Sequence, residues 1–367
     1  RSRSFEIGPD LGFFNDRLNV NFTYYNTYSD HQQLTISVAN SSGLNSVLIN
    51  SGALRNKGVE LTVNAKVVKT SNFSWDVTLN AAHNTNKVVA LEPGISYLPL
   101  GSWFGGDGVS MRVNAGDNYG NIYGYDYKYE NGQKVVNLVY ADGMNTGHGP
   151  VLGSQYATSS DIVKIGNATP KFTGGISQNI RYKNFSVYVL ADFKIGGQIW
   201  SGDYATIMGQ GLAPETVVER DGGGLPYTFP DGTKGNVGVI LPGVVSTGGG
   251  AYTPNNNVVN SWWKYAGNYQ SWDNNPIVRT NSVFNDSWGK LREVNITYNL
   301  PKALVEKTKV FQNLSVSLIG RDLFYIFTTL PDRINPESIV STSNVQGIQF
   351  GGLPGVRSYG FSVKAGF

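Results

Sequence analysis

Apolar and polar residues alternate along this chain in one run after another. Over residues 17–25 the apolar set is Leu18, Val20, Phe22 and Tyr24, opposite Asn19, Asn21 and Thr23. Over 58–68 it is Val59, Leu61, Val63, Ala65 and Val67, opposite Glu60, Thr62, Asn64 and Lys66. Residues 73–82, 185–195 and 292–300 repeat the pattern, the middle one with Phe185, Val187, Val189, Ala191 and Phe193 against Ser186, Tyr188, Asp192 and Lys194. The chain closes on a further run, with Tyr359, Phe361, Val363, Ala365 and Phe367 on one side and Ser358, Gly360, Ser362, Lys364 and Gly366 on the other. A period of two predicts β-strands. Each run has about the 9–11 residues that cross a bilayer at barrel tilt. The second face carries charges and amides, which a dry core does not tolerate unpaired. An all-β, antiparallel transmembrane barrel fits, with one face on lipid and one on a wet lumen. A soluble sandwich with one solvated face produces the same alternation.

The connections are of two kinds. Short ones fall at Asn15-Asp16, 69–72, Lys183-Asn184 and 301–308, and long ones rich in Gly, Asn, Ser and Pro cover 39–52, 91–120, 140–168, 198–287 and 328–355. Short periplasmic turns alternating with long extracellular loops is the outer-membrane pattern. With short turns at the bottom, the strand ending at Phe14 and the one ending at Phe367 both run downward. The wall strands therefore number about nine, or eleven if Tyr123, Tyr125, Tyr127 and Tyr129 before the Asn131-Gly132 turn form a wall hairpin rather than a loop hairpin. An odd count starting outside predicts that residues 1–367 are the C-terminal part of a larger barrel. Phe5–Phe14 and 358–367 should then be edges that pair with strands outside this chain. Phe367 is expected as the last residue of the last strand, on lipid at the periplasmic rim.

Composition narrows the alternatives. No stretch approaches the ~20 apolar residues of a membrane helix, so any crossing is by closed sheet. Tyr (21) outnumbers every charged residue type, which suits an interfacial aromatic belt. A net charge of +3, with scattered basic residues, argues against nucleic acid. With no Cys there are no disulfides or thiolate metal sites. His31, His83 and His148 lie far apart without metal-ligand spacing. No nucleophile or phosphate-loop motif is present, so neither an enzyme, a cofactor nor a resident metal is expected. Asp107 and Asp117 are read as polar loop residues rather than calcium ligands.

The candidates for ligand or partner contact are aromatic: Trp262, Trp263, Tyr265, Tyr269 and Trp272 in one long loop, and Trp103 and Phe104 in another. Rings offer apolar area and a stacking face at low entropic cost; packing of the loops on themselves is the competing role. Glu60, Lys66, Asp76, Asp192, Lys194 and Glu293 are expected to line the lumen, and their mixed signs predict no strong ion preference.

Phe5-Glu6-Ile7-Gly8 with Asn15-Asp16-Arg17-Leu18 resembles the SusC/RagA-like family of TonB-dependent outer-membrane transporters. So do Asn56-Lys57-Gly58-Val59-Glu60-Leu61, Gly166-Asn167-Ala168-Thr169-Pro170, Tyr182-Lys183-Asn184-Phe185-Ser186, the 288–301 run and Gly320-Arg321-Asp322-Leu323-Phe324. The resemblance spans the chain in order, with the loops diverging. It implies a 22-stranded barrel holding an N-terminal plug, a SusD-like surface lipoprotein as lid, and TonB-driven import of glycans or peptides. The plug, the TonB-contacting segment and the first half of the barrel lie outside this sequence. A self-contained passive porin and a secreted glycan-binding sandwich are the rival readings.

Overall fold

The computed structural model describes residues 1–37, 43–44, 46–103, 108–270, 276–332, 334–340 and 345–367. Among these residues nine antiparallel strands form one continuous wall in which each pairs with the next wall strand along the chain. Strand β1 has two arms, Ser2–Ile7 and Asp10–Phe13. It is followed by β2 (Leu18–Ser29), β3 (Ala53–Lys69), β4 (Phe73–Ala90), β5 (Phe172–Tyr182), β6 (Phe185–Ile195), β7 (Trp288–Asn299), β8 (Asn313–Thr328) and β9 (Ser358–Gly366). The two arms of β1 flank Gly8-Pro9, where Pro lacks the N–H a ladder needs. A Cβ on Gly8 would lie 2.4 Å from the Phe22 carbonyl oxygen.

Opposed residues of an antiparallel ladder share a face, and the register makes the apolar sets of successive strands meet. One row runs Phe22–Leu61–Ala81–Gly174–Phe193 across β2 to β6. Another runs Trp75–Ile180–Val187–Ile296–Leu318–Phe361 across β4 to β9. This face is bare: Phe185 is 50% exposed, Leu318 63% and Phe361 78%. A water-soluble sheet buries its apolar face; this one presents it outward, as a wall in lipid does. The row nearest the short turns is aromatic, Phe73–Tyr182–Phe185–Tyr298, with the last two rings 4.7 Å apart. Gln178, the one amide in the middle of the apolar rows, accepts a bond from Trp75 Nε1 at 3.3 Å.

The opposite face is polar. Glu60, Lys66, Asp76, Asp192, Lys194 and Glu293 all project from it. Tyr25 on this face donates to Asn84 Oδ1 at 3.1 Å and lies flat over Gly58, where a Cβ would come within 2.3 Å of the Tyr25 oxygen.

The turns at one end are short: the Phe14-Asn15-Asp16 corner, all three with φ between 54° and 60°, and Lys183-Asn184 with Lys183 at 50°. The 301–312 connection is longer than the sequence predicts, because it winds into a helical turn at Lys302–Val305. At the other end, 91–120 and 140–168 are parts of a single excursion between β4 and β5. The tyrosine hairpin belongs to it rather than to the wall: Asn121–Gly124 joins a small sheet with Val109–Asn114 and Val163–Asn167, and Tyr129–Glu130 pairs with Gln133–Lys134. The last strand stops at Gly366, one residue short of the expected Phe367, whose ring packs 5.1 Å from Phe311 beside the wall.

The buried apolar core lies in the long connections, not in the wall. Val109, Met111, Ile122, Trp200 and Ile348 pack together from three excursions. Gln198–Ser201 sits between Val283–Asn285 and Ile348–Gln349 in a three-stranded sheet that ties two of them. The long loops therefore form one body over the end of the wall.

Because outward and inward faces alternate, one charge has different consequences at neighbouring sites. Val189→Arg at the middle of β6 should cost about 2–4 kcal/mol, whereas Asn179→Arg, facing inward from β5, should cost about 0.5 kcal/mol or less. Urea midpoints of the intact barrel in bilayers measure both, and equal costs would contradict the assignment of faces.

Candidate functional site

Helix α1 (Gly202–Gly209) and helix α2 (Ser261–Tyr269) stand side by side in the loop body. Helix α2 starts where the Asn260 side chain accepts from the Trp262 N–H at 2.8 Å, an N-cap that satisfies one of the free amides of the first turn. Trp263 fixes it laterally, its indole filling the space above Gly153 so closely that a Cβ there would come within 1.9 Å. Asn268 completes the joint, accepting from the Tyr156 N–H at 2.8 Å.

This packing opens a cleft of about 560 Å³ whose walls include Tyr127, Lys134, Tyr156, Lys264, Tyr265 and Tyr269. Tyr127 and Tyr156 meet edge to face at 5.1 Å, and the Lys134 ammonium sits 3.6 Å from the centre of the Tyr127 ring, a cation–π contact. Across the cleft Glu219 accepts from Lys264 at 2.5 Å and from the Tyr265 hydroxyl at 2.7 Å. Burial alone would push the Glu219 carboxyl up, but these two donors outweigh it and hold it below its ordinary range. Burial, and then the acceptor Glu219, push the Tyr265 hydroxyl up to about 12. The Tyr127 and Tyr204 hydroxyls are also raised, by burial first. At neutral pH the cleft thus presents neutral phenols, two ammonium groups and one carboxylate. Such a lining suits an amphipathic ligand with ring faces or short apolar groups and hydroxyls or amides between them.

A second cluster fastens the loop body to the inward face of the wall. Strand β7 carries one extra residue, Arg292, against β6, and two residues of β8, Asp322 and Leu323, lie opposite it. Bulges re-aim side chains. Here the Arg292 guanidinium reaches Asp192 at 2.7 Å, Asp322 at 2.8 Å and Glu337 at 2.6 Å. Lys290 bridges Asp322 at 2.9 Å and Glu337 at 2.5 Å, and the Tyr325 hydroxyl donates to Glu337 at 2.8 Å. Nearby, Lys194 pairs with Asp286. Glu337 belongs to the 329–357 connection, so this network pins that connection to the wall.

Of the aromatic candidates, Tyr265 and Tyr269 line the cleft. Trp263 is spent on packing α2, and Trp262, 45% exposed, borders a smaller cleft of about 340 Å³ with Arg220 and Asn260. Phe104 and Trp272 lie outside the described residues, as does the Trp103 side chain. Asp192 and Lys194, on the inward face, are members of ion pairs with Arg292 and Asp286, and Glu293 is paired with Arg321 at 3.0 Å. Lys66 and Asp76 are opposed in register. Sequence reasoning missed Lys134, Tyr156, Glu219 and Lys264. The Tyr123–Tyr129 alternation was the available signal for Tyr127, but nothing in the order of residues brings 127, 156 and 265 together. Among the described residues no group of His, Asp or Glu could hold a metal ion.

Residues 1–97 match the family model for the TonB dependent receptor-like β-barrel. The chain is 26% identical over 384 residues to TonB-dependent receptor P3 of Formosa agariphila, covering all of this chain and 34% of that protein. It is 24% identical over 196 residues to TonB-dependent receptor SusC of Bacteroides thetaiotaomicron, covering 50% of this chain and 18% of SusC. In three dimensions it is similar to the RagAB peptide importer in the closed-closed state, with a TM-score of 0.64 and 18% identity over 99% of this chain and 35% of the other. The RagAB peptide transporter gives 0.62 and 17%. The chain spans about a third of the length of the first of these relatives.

The ion network carries a pH dependence. Burial would raise Glu337, but Arg292, Lys290 and Tyr325 together hold it below its ordinary value of 4.5. Its contribution is then fully present above pH 4.5 and is lost as pH falls through the lower folded value. Limited proteolysis should find cuts within 329–357 appearing only below pH 4.5 in the native protein and already at neutral pH in Glu337→Gln. Indifference of Glu337→Gln to protease at pH 7 would show that the network does not hold this connection.

Proposed function

We propose that the chain is a member of the SusC/RagA-like TonB-dependent receptors of the outer membrane, and that it is the C-terminal part of a 22-stranded barrel importing an oligomeric nutrient. The cargo is a glycan or a peptide, the lid is a SusD-like surface lipoprotein, and TonB drives import through a plug that lies outside these residues. Members of the family are transporters, not enzymes, and no catalytic role is proposed here.

The observation that carries this reading is the opposition of faces. An outward apolar face backs a polar inner face, and over its long-loop end stands a rigid body with a tyrosine-lined cleft. The cleft has the size and lining to take a few sugar rings or side chains. Glu60, Lys66 and Asp76 are proposed to line the lumen below it, and Trp262 to be the lid contact. The passive porin is disfavoured by the wall itself. Strands β1 and β9 each pair on one side only among the described residues, and open edges in lipid leave backbone groups unsatisfied at several kcal/mol each. The remaining strands of the full-length barrel are proposed to cover them.

Two substitutions in the full-length transporter test cargo and lid separately. Tyr156→Ala removes an aromatic contact worth about 0.5–1.5 kcal/mol, so uptake of the cognate nutrient at limiting concentration should fall roughly two- to tenfold with the lipoprotein still co-purifying. Trp262→Ala should weaken co-purification and leave cargo affinity of the isolated transporter intact. If both variants behave as native in both assays, the loop body binds neither cargo nor lid through these rings.

A further inference from the structure

The outward face changes character at its upper end, and only over the first four strands. Above the apolar set, the register places Arg3 opposite Tyr28, Tyr28 opposite Arg55, and Arg55 opposite Lys87. One row below, Asn26 opposes Lys57, and Lys57 opposes Thr85. Four cations therefore stand on one side of the sheet within the width of four strands. With strands about 4.8 Å apart, the row spans roughly 14 Å.

Among the described residues no carboxylate balances these charges. Among the described residues no ion pair joins Arg3, Arg55, Lys57 or Lys87 to a carboxylate. The Arg55 guanidinium stacks over the Tyr28 ring at 5.6 Å. Asp117, whose backbone carbonyl bonds the Val88 N–H beside Lys87, has its carboxylate engaged by Asn114 and Tyr123, both at 2.8 Å. Arg55 and Lys87 face each other directly, an arrangement of like charges that is destabilising across an antiparallel pair. Such an arrangement is stabilised by an anion between them. A cleft of about 470 Å³ opens at this point, lined by Arg55, Lys57, Thr85, Lys87 and Asn118.

The height of the row says where the anion comes from. Arg55 lies four positions above Val59, the apolar residue directly below the basic row on β3. At about 3.3 Å per residue and a tilt near 45°, Arg55 lies roughly 9 Å above Val59 along the membrane normal. By the same measure Lys57 lies roughly 5 Å up, inside the headgroup layer that adds about 5–8 Å beyond each side of the hydrocarbon, and Arg55 lies at the outer edge of that layer. The cations face sideways, into the surrounding lipid, at the level where phosphates lie.

We propose that Arg3, Arg55, Lys57 and Lys87 form a binding site for the phosphorylated headgroup of an outer-leaflet glycolipid, seated on the outer wall of β1 to β4. The lipid's chains lie along Val59, Leu61, Leu79 and Ala81, and its phosphate enters the cleft between Arg55 and Lys87. This proposal rests on the outer-membrane reading above.

The test uses the full-length transporter, native and as Arg55→Gln/Lys57→Gln/Lys87→Gln. A control carries Lys302→Gln/Lys307→Gln/Lys309→Gln, which removes the same charge at the short-turn end. Cell fractionation comes first, and absence of the native protein from the outer membrane would overturn the parent reading and this one with it. From outer-membrane protein, tightly bound phosphorylated glycolipid is then counted by native mass spectrometry after purification in detergent. Affinity should fall about fivefold per cation removed, so the triple variant retains almost no lipid while the control retains the native amount. Added phosphorylated glycolipid should raise the unfolding temperature of the native protein and the control, but not of the triple variant. Native lipid retention by the triple variant overturns the proposal, as does equal stabilisation by dephosphorylated glycolipid or by inorganic phosphate alone.

Discussion

Every other feature of this chain depends on one constraint: in lipid, backbone N–H and C=O groups must find partners within the sheet. An antiparallel ladder supplies them, but it also fixes which side chains share a face. A slip of one residue would turn every polar side chain outward. Nine strands hold a common register that brings the apolar sets of neighbouring strands together on the outer side. Where an amide does enter the apolar rows, at Gln178, a neighbouring indole N–H satisfies it. The wall gains little from a buried core of its own, and its stability comes from the ladder and from lipid contact.

The departures from the ladder are where the wall connects to the rest of the molecule. Arg292 and Asp322 occupy bulges in adjacent strands and pair with each other, and Arg292 also reaches Asp192 and Glu337. Lys290 is almost buried while the other members are 27–37% exposed, so removing a carboxylate leaves chiefly the Lys290 charge uncompensated, and the network is both an anchor and a point of sensitivity. The two-armed first strand, broken at Gly8-Pro9, is a second departure, for which the ladder gives no comparable partner.

The wall was legible in the sequence because alternation is a local property: the 185–195 strand coincides with its structural bounds, and the nine strands are the smaller of the two odd counts, nine or eleven, that the turn pattern allowed. Strands β5 and β8 were less visible. Gly174-Gly175 and Gln178 interrupt the first, and the Asp322 bulge shifts the phase of the second. The loop body was almost illegible. Its core joins Met111, Trp200 and Ile348, residues far apart in the chain, and its cleft joins Tyr127, Tyr156 and Tyr265. Aromatic density pointed to the correct helix, but could not tell Trp263, which packs, from Tyr265, which lines the cleft. The basic row is a register effect as well: Arg3, Arg55 and Lys87 look scattered until strand pairing sets them side by side.

The position of the core bears on how cargo would pass. Because three excursions share Met111, Ile122, Trp200 and Ile348, moving any one of them alone would expose side chains that are now almost fully buried. At about 25 cal/mol per Å² of apolar surface, separating even two such residues costs several kcal/mol. The individual loops are thus poorly suited to act as independent flaps. Access to the tyrosine cleft is more economically controlled from outside the body, by a lid that covers it, or from below, by the contents of the lumen. In the proposed transporter, gating would then belong to its partners: the wall and loop body would supply a fixed receptacle, and the moving parts would act on it.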